Sequence, residues 1–325
     1  MSSQPVFCPR AECPSRSQSP FTYRLRGFFR RRCDGRSVQR FVCLACSHGF
    51  SEQTYRLDYR LKRPKLLSRL FLDRVSKVTH RQSARNHACS RSTEERHFRR
   101  LSEQCESFHD VRLAEIAARG GLGEVFLLDE LETYEQHRTN KPLTVPIVIE
   151  RGSGFVIDTR VGTLPPRGKA RPLEGEVRRK SESRKVVRAA LERLRETCPK
   201  RQPLRVLTDQ KHSYAQLLKE LFGERCLHQR TRSTRRRDMR NPLWPINHTL
   251  ARVRDNVSRL VRETWAAAKS RRWLAGQLAI WVCYRNYVRG RTNREPGVTP
   301  AMALGVQTRR WSVKELLQWR IFPGR

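Results

Sequence analysis

Two short, mainly apolar runs in this sequence each stop at an aspartate. Residues 125–128 lead into Asp129, and residues 204–208 lead into Asp209. If both runs are strands of one sheet, their ends can hold two carboxylates side by side, although a single aspartate in such a place often only caps a turn or a helix. Paired carboxylate oxygens suit hard cations such as Mg²⁺ and Mn²⁺. The pair therefore predicts a magnesium or manganese site for phosphodiester chemistry.

A third carboxylate for such a site is expected on a helix near the end of the domain. Apolar residues at helical spacing predict a helix over 247–270. Its opposite face reads His248, Arg252, Asp255, Arg259 and Arg262. Asp255 is the only acid on this face, so it is the predicted third ligand, with the arginines binding DNA phosphates. A helical ion pair between Asp255 and Arg259 is the alternative, and Glu263 and Asp238 are weaker candidates for the ligand.

The charge of the chain favours a polyanionic partner. The 68 lysines and arginines outnumber the 31 aspartates and glutamates, which gives a formal net charge of +37. Arginine runs such as 30–32 and 235–237 suit bidentate phosphate contacts. Nucleic-acid binding that depends steeply on salt is expected, although a general arginine bias would give a similar composition.

The apolar content and the cysteines indicate the class of protein. With 325 residues, of which 37% are hydrophobic, the chain can form two or three domains. The sequence has no run of 18 apolar residues and does not begin like a signal peptide, so we expect a cytoplasmic protein that does not enter membranes. In that compartment its ten cysteines are predicted to be thiols or metal ligands rather than disulfides.

Residues 1–60 have the cysteine spacing of a zinc ribbon. One pair has two intervening residues, the other has four, and short β-prone stretches separate the pairs. The predicted structural Zn²⁺ ligands are Cys8, Cys13, Cys43 and Cys46. Cys33 and His48 are potential substitute ligands, and unliganded thiols are the alternative.

Residues 64–104 change to helical spacing. Apolar residues predict a helix around 66–71, a short helix follows at 81–85, and Ser92 with Glu95 has the spacing of a capping box for a third. The third helix carries Arg96, Arg99 and Arg100. Three short helices favour a helix-turn-helix whose last helix enters a DNA groove, with a plain three-helix connector as the alternative.

Residues 122–290 alternate between strand and helix patterns. Strands are predicted at 124–128, 145–150, 154–160, 204–208 and 225–229, and helices at 181–196, 213–222 and 247–270. This order is typical of a ribonuclease-H-like domain, in which the first and fourth strands are neighbours. The predicted fold class is multidomain α/β: a zinc ribbon, a helix-turn-helix, a ribonuclease-H-like mixed sheet with flanking helices, and a tail at 291–325.

Several motifs together resemble bacterial insertion-sequence transposases of the acidic-triad (DDE) class. They are Leu-Leu-Asp-Glu-Leu-Glu at 127–132, Leu-Thr-Asp at 207–209, Asn-Pro-Leu-Trp-Pro-Ile-Asn-His at 241–248, Arg-Leu-Val-Arg-Glu-Thr-Trp-Ala-Ala-Ala-Lys-Ser at 259–270 and Tyr-Arg-Asn-Tyr-Val-Arg at 284–289. The likeness is strongest to small elements whose transposase combines a zinc ribbon with a ribonuclease-H-like domain, and it runs over most of the chain.

The resemblance implies a DNA strand-transfer enzyme in which Asp129 and Asp209 bind metal. It also implies double-stranded DNA as partner, both element ends and target, and a homo-oligomer on that DNA. The sequence departs from the family at Asn247, where a glutamate is frequent, and at Gln210, where a glycine is frequent. Either Asp255 supplies the third ligand, or the chain is a catalytically inactive DNA-binding protein or regulator. A structural RNA-binding protein would explain the charge but not the two strand-end acids.

Overall fold

The computed structural model describes residues 5, 7–17, 20–168, 179–261 and 266–319. The chain divides into two compact units. One contains the residues up to 69 together with those from 314, and the other contains residues 70–313. The predicted helix-turn-helix at 64–104 therefore falls mostly in the same unit as the larger sheet.

The first unit is built on a small antiparallel sheet. Its strands are β1 (Tyr23–Arg30), β2 (Ser37–Cys43) and β3 (Gly49–Ser51), in the order β1-β2-β3. Its packed core cluster consists of the aromatic residues Phe7, Phe21, Phe41, Phe50 and Tyr55 together with three cysteines. Because so few apolar side chains are buried here, a bound metal could contribute much of the folding free energy.

Three helices follow, and the last is much longer than the sequence predicted. They are α1 (Leu66–Arg74), α2 (His80–Asn86) and α3 (Arg91–Ala118). The predicted capping box at Ser92 is wrong, because Ser90 is the cap of α3 and accepts from the Thr93 amide. The predicted end at 104 falls inside α3, which continues because apolar side chains recur at helical spacing and are buried through Ile116.

The larger unit contains a mixed sheet with one long central strand. Its strands are β4 (Val125–Tyr134), β5 (Pro142–Glu150), β6 (Val156–Thr159), β7 (Gly162–Thr163), β8 (Leu204–Thr208) and β9 (Cys226–Arg230). The main order is β6-β5-β4-β8-β9, and β7 pairs with β5. The sheet is antiparallel across β4, β5 and β6 and parallel across β4, β8 and β9. The predicted adjacency of the first and fourth strands is confirmed.

Helices flank this sheet. They are α4 (Ser183–Thr197), α5 (His212–Phe222), α6 (Trp244–Asn256), α7 (Arg271–Cys283) and α8 (Pro300–Ala303), with a π-helical turn at Tyr284–Val288. Helix α9 (Val313–Gln318) lies almost entirely in the first unit. The result is a mixed α/β unit compatible with a ribonuclease-H-like fold. Helix α7 packs on α3 at a close approach where a Cβ on Gly276 would lie 2.7 Å from the Ser102 hydroxyl. No helix in the described parts of the chain is long and apolar enough to cross a membrane.

The predicted helix over 247–270 is wrong in both bounds. Helix α6 begins earlier, at Trp244 with a proline in its first turn, and ends at Asn256 because Val257 has an extended backbone. A short 3₁₀ turn, Ser258–Leu260, follows, and Arg262 and Glu263 lie outside the described residues. The predicted basic face is therefore not one continuous helical stripe.

A buried histidine of α3 makes the stability of this unit depend on pH. His109 Nε2 lies 2.9 Å from the Ile157 carbonyl, and Nδ1 lies 3.3 Å from the Tyr287 hydroxyl. Burial lowers the pKa of His109 to about 4. Between its unfolded pKa of about 6.5 and this value, the folded state binds fewer protons, so stability falls as pH falls.

We expect His109→Gln to remove this dependence. Urea unfolding of the wild type should show a loss attributable to His109 of about 2.5 kcal/mol between pH ~7 and pH ~4.5. Glutamine retains an N–H donor for the Ile157 carbonyl but does not titrate. If the variant lost as much stability as the wild type over this range, His109 would not be the source of the dependence.

Candidate metal centres

The strand register brings the two predicted aspartates together. In the parallel pairing of β4 with β8, Val125 lies opposite Arg205 and Leu127 opposite Leu207. If the same register continues for two more residues past Leu127 and Leu207, Asp129 lies beside Asp209. The electrostatics agree, because the negative charge of Asp209 contributes to raising the pKa of Asp129.

Asp129 lies in the middle of β4 rather than at its end. The predicted end of the strand at residue 128 is wrong, because β5 continues to pair with β4 as far as Tyr134. Burial is the main cause that raises the pKa of the Asp129 carboxyl to about 6, while the Glu130 amide, 2.7 Å away, opposes the shift. When the pKa of a carboxyl group is raised in this way beside a second carboxylate, a bound cation would stabilise its charged form.

Asp209 directly follows β8, as predicted, and its surroundings fix its backbone. Its carboxylate accepts from the Lys211 amide at 2.9 Å. The Thr208 hydroxyl donates to the Asp209 carbonyl at 2.6 Å and lies 2.8 Å from His228 Nε2. These contacts hold the turn after β8, and within the described residues the second carboxylate oxygen of Asp209 accepts no hydrogen bond.

Glu130, the next residue along β4, has a different role that the sequence did not reveal. Its carboxylate is 7% exposed and accepts hydrogen bonds from Thr144, Ser183, Tyr214 and Lys211. Burial alone would raise the pKa of Glu130, but the contacts with Lys211, Ser183 and Tyr214 hold it below its ordinary value. Its oxygens are already in use, so Glu130 links β4 to α4 and α5 rather than offering a metal site.

Positively charged side chains lie on the loop that follows β9, near the aspartate pair. The charge of Arg237 lowers the pKa of Asp129 and so partly offsets the effect of burial. The loop after β9 begins where the Thr231 amide donates to the Thr208 carbonyl at 2.9 Å. That loop encloses a cleft of about 400 Å³ whose cationic lining residues are Arg230, Arg232 and Arg235. A phosphate near Asp209 would therefore meet arginine side chains.

The structure does not bring the predicted third ligand to the pair. The side chain of Asp255 is 74% exposed and accepts from Lys77 Nζ at 2.8 Å. Arg259 is buried and donates to Gln277 at 2.9 Å, so the alternative Asp255–Arg259 ion pair is also absent. Within the described residues, no third carboxylate, histidine or cysteine completes a metal-ligand group with the aspartates.

The remaining site candidates lie on several different elements of the fold. Asp238 accepts from the Arg240 amide at 3.0 Å, and Arg252 donates to the Arg291 carbonyl at 2.5 Å. On α3, Arg96 and Arg99 are exposed and Arg100 is half-buried. Arg262 and Glu263 are not among the residues that the structure describes.

The four predicted zinc ligands form one compact group. The sulfur atoms of Cys8, Cys13, Cys43 and Cys46 all lie within 4.8 Å of one another. The Cys8–Cys46 and Cys13–Cys43 sulfur distances are 3.6 and 3.7 Å. A tetrahedral site with Zn–S bonds of about 2.3 Å requires sulfur atoms about 3.8 Å apart. The group therefore fits a tetrahedral metal ion.

The potential substitute ligands are not part of this group. Cys33 is exposed and lies 2.8 Å from Arg31 Nε, and His48 is exposed as well. Within the group, burial raises the pKa of the Cys8 thiol to about 12. Burial also acts to raise the pKa of Cys43, but hydrogen bonds from Ser15 and from the amides of the knuckle lower it to about 6. Such amide donors favour a thiolate at the CxxC turn.

Comparison with known proteins gives little further information. No protein-family model matches the sequence, and no curated protein matches it. Among solved structures, the chain is similar to one in the crystal structure of the Mos1 strand transfer complex. That likeness has a TM-score of 0.30 and 11% sequence identity, and it covers 78% of this chain and 74% of the other. Because this TM-score is low, the functional proposal rests on the residues and geometry of the site.

Proposed function

We propose that this protein is a transposase that catalyses metal-dependent DNA cleavage and strand transfer. The observation that carries the proposal is the register of β4 and β8, which sets Asp129 beside Asp209 in a chain of net charge +37. Two adjacent carboxylates among arginines can hold divalent cations and a phosphodiester at the same place. The motif resemblance to insertion-sequence transposases supports the same function.

In this proposal Asp129 and Asp209 bind Mg²⁺ or Mn²⁺. When bound, the metal would activate water or a DNA 3′-hydroxyl for attack and stabilise the leaving oxygen. Backbone amides hold the two carboxylates, since the Glu130 amide donates to Asp129 and the Lys211 amide donates to Asp209. The arginines after β9 would hold the DNA backbone. Protein nucleophiles are not required.

The smaller unit is proposed to be a zinc ribbon. Its four cysteines have the sulfur spacing of a Zn²⁺ site, and Zn²⁺ there would be structural because all four positions are taken by protein ligands. This unit, together with the basic face of α3 at Arg96, Arg99 and Arg100, is proposed to recognise double-stranded element ends. A homo-oligomer on DNA is also part of the proposal, because strand transfer joins two DNA sites.

One observation favours a second function. Because no third carboxylate reaches the aspartate pair within the described chain, the protein could be a catalytically inactive DNA-binding protein derived from a transposase. Strand transfer of a donor oligonucleotide with a 3′-hydroxyl end separates the two functions. Joined product that requires Mg²⁺ or Mn²⁺ supports the enzyme, whereas DNA binding without joining in either metal supports the regulator.

The position of Asp255 gives a prediction about the third ligand. Its exposed pair with Lys77 should contribute little to stability. Asp255→Asn should therefore change the free energy of unfolding by less than about 0.5 kcal/mol and leave the strand-transfer rate nearly unchanged. Rates in Mn²⁺ and urea unfolding curves would measure both effects. A rate reduced by orders of magnitude would instead place Asp255 among the metal ligands.

A further inference from the structure

A large cleft lies at the start of α2 and α3, beside the chain that leads into α7. Its volume is 910 Å³, and we call it the α2 cleft. Its charged lining residues, apart from one histidine, are Arg81, Arg85, Arg91, Glu95, Arg259 and Lys269. Five cations therefore face one carboxylate.

The single acid does not balance this charge. Glu95 accepts from Arg91 Nε at 2.7 Å, so that pair neutralises itself. Arg81 and Arg85 are exposed on successive turns of α2, and Lys269, which also lines the cleft, is exposed as well. No carboxylate pairs with these three in the described structure. A concave surface with uncompensated positive charge attracts a polyanion.

The wall of the α2 cleft also offers aromatic rings. Trp273 is partly exposed in the wall. It stacks on Phe98 with ring centroids 5.0 Å apart and an interplanar angle of 28°. His80 meets Trp273 edge-on, with centroids 5.4 Å apart. Supported rings beside cations are the elements with which proteins bind unpaired nucleotides.

The second nitrogen of His80 has no partner among the described residues. His80 Nδ1 contacts the buried carboxylate of Glu94, so in the neutral ring the proton lies on Nδ1 and Nε2 is an acceptor. Nε2 is buried without a hydrogen bond. One polar atom of the residues that line the α2 cleft is therefore unsatisfied in the described structure.

We propose that the α2 cleft binds a single-stranded segment of nucleic acid. Its phosphates would contact Arg81, Arg85 and Lys269, and one unpaired base would lie against Trp273. A duplex cannot fulfil the second role, because its bases are already stacked on one another. The inference extends the proposed function and rests on it only in taking DNA as the polyanion.

Binding is best tested in the full chain carrying Asp129→Asn, so that cleavage cannot intervene. The probes are a fluorescein-labelled oligothymidine of about 20 nucleotides and a labelled blunt duplex of the same length. Fluorescence anisotropy of each probe measures its binding to the protein. The test variant is Arg81→Ala/Arg85→Ala. The control is Lys200→Ala/Arg201→Ala, which removes the same charge from two exposed residues between α4 and β8.

We expect the test variant to bind the single strand about 10-fold more weakly than the parent. Its slope of log affinity against log salt should fall by about 1.4, since each lost phosphate contact contributes about 0.7. The control should change the affinity less than about 2-fold. Trp273→Phe, which keeps a ring on Phe98, should remove most of the tryptophan quenching that oligothymidine causes.

The outcomes distinguish this inference from the proposed function. Equal losses for single strand and duplex, equal losses in test and control, or unchanged quenching in Trp273→Phe would each overturn the single-strand cleft while leaving DNA binding intact. A parent protein that binds neither probe would contradict the proposed function as well.

Discussion

Asp129→Asn is expected to lower the strand-transfer rate by about 10³-fold while leaving DNA affinity unchanged or slightly higher. The amide is neutral, so the pair with Asp209 loses half of the charge that would hold the cation. If the bound metal stabilises the transition state less by several kcal/mol, the rate falls by about 10³-fold. Because burial and Asp209 raise the pKa of Asp129, removing its charge should not destabilise the metal-free protein near neutral pH. Single-turnover joining assays in Mg²⁺ and anisotropy without added metal would measure both properties.

Glu132→Gln is the matched control for this experiment. It makes the same carboxylate-to-amide change three residues further along β4, at a side chain that is 60% exposed and paired with Arg167. Its rate should stay within about 2-fold of the wild type. Asp209→Asn should reproduce the loss seen for Asp129→Asn. If either aspartate variant joined DNA at the wild-type rate, the carboxylate pair would not be the catalytic centre.

The larger sheet could be predicted because its signals are local. Each buried strand is a short apolar run with turn residues on both sides, and the order of strands and helices indicates which strands become neighbours. The existence and order of the five predicted strands and the adjacency of β4 and β8 are confirmed, although the bounds of β4 differ. The aspartate pair follows directly from that adjacency and needed no longer-range information.

Other parts of the site depend on contacts that no local pattern shows. Strand β4 extends to Tyr134 because β5 pairs with it along its whole length, although the acids at 129, 130 and 132 interrupt its apolar pattern. Glu130 accepts hydrogen bonds from Lys211 and Tyr214, which both lie more than 80 residues after it in the sequence. Sequence spacing cannot identify such partners.

Whereas β4 is longer than predicted, the helix predicted over 247–270 ends earlier than predicted, at Asn256. Its apolar period continues past Asn256 through Val257 and Leu260, but both side chains are buried beyond the end of α6 and not on its face. Buried Arg259 then bonds with Gln277 of α7. A periodic pattern cannot distinguish a continuing helix from a turn that buries the same residues, and the predicted position of Asp255 depended on that distinction.

Purified wild-type protein is expected to contain one tightly bound zinc ion per chain, and Cys43→Ser is expected to lose it. The four sulfur atoms lie within 4.8 Å of one another, as a shared metal ion requires, and structural zinc can contribute about 10–16 kcal/mol to the folding of small domains. Loss of the metal should therefore unfold the unit containing β1, β2 and β3, whose many arginines would then become trypsin sites. Elemental analysis and limited trypsin digestion would measure the two effects.

Cys33→Ser provides the control, because Cys33 lies in the same unit but is exposed and outside the sulfur group. It should retain zinc and resist trypsin as the wild type does. The larger unit should stay folded in both variants, since its core is formed by residues 70–313. Wild-type protein purified without chelator that contained no zinc, or Cys43→Ser that kept it, would leave the four cysteines as unliganded thiols. Equal zinc loss in the two variants would show that thiol content, and not the group of four cysteines, determines metal binding.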